Sequence, residues 1–237
     1  MELTAIKSSF YFTYIFLITT GTICFIEALR NPVSQIRHIM NLETCISVVA
    51  GYFYSLFVEK YNKYEKEINE LKDDENLEKK IEDKTNKFYE KINDTRYTDW
   101  AISTPIMLLV LCMVLGFENK LNTHFLNVLY ILILNYAMLG SGYIGELGII
   151  SKIPATILGF IFFFAMYAFI WYIYMKKSRT FNSTIIYYSF LILWAFYGVF
   201  YNMNNISKII GYNILDLLAK AFVGIFFWLY LTKTIKF

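Results

Sequence analysis

A chain of 237 residues that is 57% hydrophobic and 19% aromatic, with only three prolines, is too apolar for a water-soluble domain, where the apolar share is about 45–50%. It reads as an integral membrane protein, and its formal net charge of +3 bears on orientation rather than on nucleic-acid binding. Cys24, Cys45 and Cys112 lie in apolar runs and imply no disulfide framework, and His38 and His124 stand alone, so no metal-ligand cluster is expected.

A membrane-crossing helix needs about 20 apolar residues. Seven runs qualify: Ser9–Leu29, Ile39–Val58, Thr98–Phe117, His124–Gly145, Ile153–Met175, Thr184–Met203 and Gly211–Leu231. The predicted fold is an all-α membrane protein, a single seven-transmembrane-helix bundle over residues 1–237, with no cleavable signal peptide and no soluble domain at either end. The connections on one side carry Arg30, Arg37, Lys120, Lys176, Lys177, Arg179, Lys233 and Lys236, against Lys7, Lys152 and Lys208 on the other. Lysine and arginine gather in cytoplasmic loops, which predicts the N-terminus outside and the C-terminus in the cytoplasm.

One connection is long. Residues 59–95, between the second and third spans, form a charged insertion on the predicted extracellular side. Glu59 to Asp94 holds twelve of the nineteen acids and nine lysines, without proline or glycine. Apolar residues recur at helical spacing as Tyr64, Ile68, Leu71 and then Ile81, Phe88, Ile92, and Lys72-Asp73-Asp74-Glu75-Asn76 reads as a break between them. The pattern predicts extensions of the two flanking helices, or a helical hairpin, standing above the membrane.

The seventh span holds a lysine at its centre, Lys220, with Asp216 four residues earlier. A charge at mid-bilayer costs about 2.5–3.5 kcal/mol on insertion scales, and the i, i+4 spacing puts both groups on one helical face. Two readings follow: a structural ion pair facing the bundle interior, or a desolvated lysine that forms a Schiff base with a carbonyl compound, with Asp216 in its counterion. Arg96 and Asp99, three residues apart on the third span, add a cation and a carboxylate. Such a buried cluster marks a functional site by default.

Four groups of residues resemble the microbial (type 1) rhodopsins. They are Arg96-Tyr97-Thr98-Asp99-Trp100 with Ser103-Thr104-Pro105, Met138-Leu139-Gly140-Ser141-Gly142, Leu193-Trp194-Ala195-Phe196-Tyr197, and Asp216-x-x-x-Lys220. The resemblance implies all-trans retinal bound to Lys220 as a Schiff base, Asp99 and Asp216 as counterions with Asp99 the primary proton acceptor, and Arg96 beside them toward the outside. It implies Trp100 and Trp194 sandwiching the polyene, with Thr104, Met107, Met138, Gly142, Tyr197, Tyr201 and Ala219 completing the pocket. The physical logic agrees, since a buried cation needs paired anions and a stiff polyene needs flat walls.

The departures bear on function. Outward proton pumps of the family carry a carboxylate eleven residues after the acceptor, about 16 Å along the helix, where this chain has Val110. Gly198 stands where the sixth helix of the family typically has its kink-forming proline, and Tyr201 replaces a tryptophan. The family's pair of outer glutamates is missing, with Lys208 near one of those places. Glu43, near the inner end of the second span, is a replacement proton donor if it is held out of water; the other readings are a carboxylate that snorkels to the interface or bonds locally.

This arrangement resembles the second group of viral rhodopsins of large DNA viruses, which implies a homo-oligomer, as a pentamer, with Glu27 and Arg37 lining the subunit interface. The reading is a light-driven outward proton pump in a lipid membrane. The alternatives are a light-gated cation channel, motivated by the missing donor and opposed by the uncharged stretch Met107 to Leu115, and a sensory rhodopsin.

Overall fold

The computed structural model describes residues 2–71, 77–177 and 179–233, so the expected break at Lys72–Asn76 and the loop cation Lys236 lie outside the described residues. Helix α1 spans Glu2–Arg30, α2 Ser34–Asn69, α3 Leu77–Asn119, α4 Phe125–Glu146, α5 Lys152–Ile170, α6 Phe181–Tyr201, α7 Asn205–Asp216 and α8 Val223–Leu231. A π-helical turn, Trp171–Met175, prolongs α5, and another, Leu217–Phe222, joins α7 to α8 into one rod. Seven of these rods are long and apolar enough to cross a membrane, and no strand occurs among the described residues.

Local chemistry sets the helix ends. Asn31-Pro32 stops α1, with Asn31 Oδ1 accepting from the Val33 amide at 2.9 Å. Thr180 and Ser183 cap α6 reciprocally, each side chain accepting from the other's amide, at 3.1 and 3.0 Å. Asn204 caps α7 through the Ser207 amide at 2.8 Å, so the seventh rod starts at Asn205, earlier than the apolar run predicts. The early start takes Lys208 out of the loop where the sequence placed it and buries it in a helix.

Pro105 lies inside α3. Proline has no N–H, so the Ala101 carbonyl one turn back loses its helical donor; the Tyr136 hydroxyl of α4 supplies one at 3.0 Å. Helix α6 runs unbroken through Gly198. A Cβ at that position would collide with the Phe160 ring of α5, so the glycine makes room for that ring.

Two apolar clusters bracket the polar layer. One, at the end carrying the N-terminus (the hairpin end), joins Phe10, Tyr54 and Phe57 to Tyr61, Tyr64, Phe88 and Ile92 of the α2 and α3 extensions. The extensions pair through stacked Tyr64 and Phe88, with centroids 4.6 Å apart, and through a Lys84–Glu67 ion pair of 2.8 Å. The other cluster fills the far end around Leu108, Leu111, Tyr167 and Phe227. Along α3, Arg96 and Asp99 fall between Ile92 of one and Met107 of the other.

Candidate functional site

At the centre of the seventh rod Lys220 is 1% exposed and Asp99 is fully buried. Lys220 Nζ donates to Asp99 Oδ2 at 2.7 Å and stands 3.4 Å from Asp216 Oδ1. The i, i+4 partner that the sequence singles out is therefore the more distant of the two carboxylates. Asp216 is taken up elsewhere: its Oδ1 accepts from the Tyr197 hydroxyl at 2.7 Å, and its Oδ2 from the Tyr54 hydroxyl at 2.9 Å and Arg96 Nη1 at 3.1 Å. Arg96 Nη2 donates to Asn213 Oδ1 at 2.7 Å, and the guanidinium lies over the Phe57 ring at 4.6 Å.

Helix α1 braces the rod that carries Lys220. Thr20 Oγ1 donates to the Ala221 carbonyl inside the π-helical turn at 3.1 Å, and Thr13 Oγ1 donates to the Asn213 carbonyl at 3.1 Å. Side-chain hydroxyls can serve the irregular carbonyls that such a turn creates in a membrane interior. Gly224 permits the close approach: a Cβ there would stand 2.7 Å from Thr20 Cγ2 and 3.1 Å from Glu43 Oε2.

A cavity of ≈ 120 Å³ opens on Lys220 and Asp216. Trp100, Thr104 and Met107 of α3 line it, with Met138 and Gly142 of α4 and Trp194, Tyr197 and Tyr201 of α6. Ala219 is buried beside these residues and does not line the cavity. Tyr97, Phe160 and Tyr212 complete a wall that the sequence motifs had only in part. Trp100 meets Tyr197 and Tyr212 edge-on, with centroids 5.4 and 4.9 Å away. Asp99 Oδ1 and the indole nitrogens of Trp100 and Trp194 are buried without a hydrogen-bond partner among the described residues. An aromatic slot that ends on an amine and a carboxylate, Lys220 and Asp216, suits a flat, apolar carbonyl compound such as retinal.

Glu43 lies on the other side of Lys220. It is 2% exposed, makes no hydrogen bond or ion pair among the described residues, and approaches the seventh rod at Gly224, one turn beyond Lys220. Asp216 lies one turn before. Val110 is fully buried in apolar contacts. Glu27 is held within its own chain: Arg30 Nε donates at 2.8 Å, Asn31 Nδ2 at 2.7 Å and Trp228 Nε1 at 3.3 Å. Arg37 donates to the carbonyls of Asn31 and Pro32, at 3.2 Å each. Lys208 donates to both oxygens of Glu146 at 2.9 Å.

Tyr54, Asn213, Tyr212 and Phe160 are among the site residues that sequence reasoning missed. Asn213 was the readable one, an amide inside an apolar run three residues before Asp216 and so on its face.

The bacteriorhodopsin-like protein family matches residues 4–234. The viral rhodopsin OLPVRII, a solved structure, is 43% identical to the chain with a TM-score of 0.82, covering 98% of this chain and 99% of that one. Opsin-1 of the fungus Neurospora crassa is 29% identical over 155 residues, 58% of this chain and 48% of that protein, so the match spans about half the length of the curated relative. The proton-pumping rhodopsin AR2 of the alga Acetabularia acetabulum shares the fold at TM-score 0.68 and 16% identity, over 97% of this chain and 96% of its own. From the helix order, the buried lysine with its carboxylates and these matches, the chain belongs to the bacteriorhodopsin-like family: it is a microbial rhodopsin, a multi-pass integral membrane protein of a retinal-binding family.

Proposed function

We propose that the protein is a light-driven outward proton pump, oriented with its N-terminus outside the cell. The observation that carries this reading is the placing of carboxyl groups on both sides of Lys220: Asp99 and Asp216 toward the hairpin end, and Glu43 toward the far end. Lys220 would hold all-trans retinal through Nζ, and that group would supply light absorption and a change of shape. Asp99 Oδ2, at 2.7 Å, accepts the proton from the Lys220 nitrogen. Asp216, which takes donations from Tyr54, Tyr197 and Arg96, keeps its charge and holds the nitrogen in place. An unpaired carboxylate in such surroundings costs several kcal/mol, so Glu43 carries a proton in the resting protein and returns one to Lys220 late in the cycle.

Beyond Asp99 along α3, Leu108, Val110 and Leu111 are fully buried in the apolar cluster of the far end. Such packing opposes a continuous hydrated path and disfavours a channel. Photocurrent under voltage clamp is the test. A steady outward current at zero driving force supports the pump; a current that reverses with the cation gradient overturns it in favour of a channel.

A further inference from the structure

Asn213 is fully buried and has four polar partners. Its Nδ2 donates to Ser9 Oγ at 2.8 Å, its carbonyl accepts from Thr13 Oγ1 at 3.1 Å, and its Oδ1 accepts from the Tyr54 hydroxyl at 3.1 Å and from Arg96 Nη2 at 2.7 Å. Ser9 Oγ itself donates to the Ile6 carbonyl at 2.8 Å, so its lone pairs are what it offers the amide. That contact fixes which way the amide faces: nitrogen toward α1, oxygen toward Arg96. We propose that Asn213, oriented by Ser9, is a positioning residue that clasps the Arg96 guanidinium against Asp216 and keeps it there when Asp99 becomes neutral.

A charge argument supports the need for such a clasp. Arg96 is drawn both to Asp216, at 3.1 Å, and to the negative charge of Asp99. Neutralising Asp99 removes one of those attractions. Glu146, a carboxylate toward the hairpin end, is already taken by Lys208. An amide oxygen carries no charge to lose, so its hold on Nη2 persists through the cycle, and the ring faces of Phe57, Tyr212 and Tyr54, at 4.6, 5.5 and 5.9 Å, add cation–π attraction on the same side.

The role proposed for Asp99 belongs to the pump reading, and the test is chosen to be independent of transport. The Arg96 side-chain nitrogens are followed by nitrogen-15 solid-state NMR in lipid, in the dark. The expected result is two distinct, restrained Nη signals in the parent chain, unchanged in Asp99→Asn. In Asn213→Leu, and in Asn213→Leu combined with Asp99→Asn, the two signals should merge or move. Ser9→Ala, which touches neither Arg96 nor Asp216, should broaden them, and Ser9→Thr should restore them. The inference is overturned if Asp99→Asn alone moves the signals, or if Asn213→Leu and Ser9→Ala both lower the melting temperature while leaving them in place. A failed photocurrent would remove the pump and leave these outcomes readable.

Discussion

The two sides of Lys220 are built on different rules. Toward the hairpin end each buried cation has a carboxylate within salt-bridge distance: Lys220 with Asp99 at 2.7 Å, Arg96 with Asp216 at 3.1 Å, Lys208 with Glu146 at 2.9 Å. Toward the far end Glu27 is paired with Arg30 at 2.8 Å, while Glu43 is buried and has no hydrogen bond or ion pair among the described residues. Removing one member of a buried pair costs about 3–5 kcal/mol, because the other charge is left exposed to the low dielectric. A lone carboxyl escapes that cost by staying protonated. One half therefore holds charge in place, and the other can hold a proton without a counterion.

The strongest way to break this contrast is at its centre. Lys220→Ala should abolish the visible absorption band of protein purified with all-trans retinal; a band that survives would end the whole reading. Next is Glu43→Gln, which should slow the late reprotonation of Lys220 on the order of 10²-fold, the lower range for a positioned general acid. Flash photolysis should then show that step slowing about tenfold for each unit rise in pH, since protons must arrive from water; pH-independent kinetics would contradict the assignment. Gly224→Ala sharpens the comparison by pushing on Glu43 Oε2 and Thr20, a tight contact costing about 1–3 kcal/mol. It should disturb reprotonation while leaving the proton transfer to Asp99 unchanged. The smallest effect is expected from Tyr136→Phe, which strips the Ala101 carbonyl of its donor and should lower stability by about 0.6 kcal/mol, the average for such bonds in membranes, with the absorption spectrum unmoved.

Much of this was legible in the chain. Long apolar runs mark membrane helices because hydrocarbon admits little else, and Lys220 and Asp99 stand out because charge is expensive there. What stayed hidden depends on neighbours distant in sequence. Asn213 becomes important through Ser9, 204 positions away. Lys208 looked like a loop cation because the apolar count discarded the polar first turn of α7 that Asn204 caps. Pro105 frees the Ala101 carbonyl, and nothing in the sequence pointed to Tyr136 as its donor. The π-helical turn that contains Lys220 leaves no mark in hydrophobic periodicity, which is blind to a single extra residue.

Helix α3 has 43 residues, about 65 Å at 1.5 Å each, roughly twice the thickness of a bilayer's hydrocarbon. Asp99 and Leu77 lie on this one rod, about 33 Å apart. A stiff bar of that length acts as a lever: a tilt of a few degrees about Pro105 that barely shifts Asp99 swings the tip by more than an ångström. Any tilt of α3 at the site would thus be magnified at the tip, where a spin label on the bar would read it.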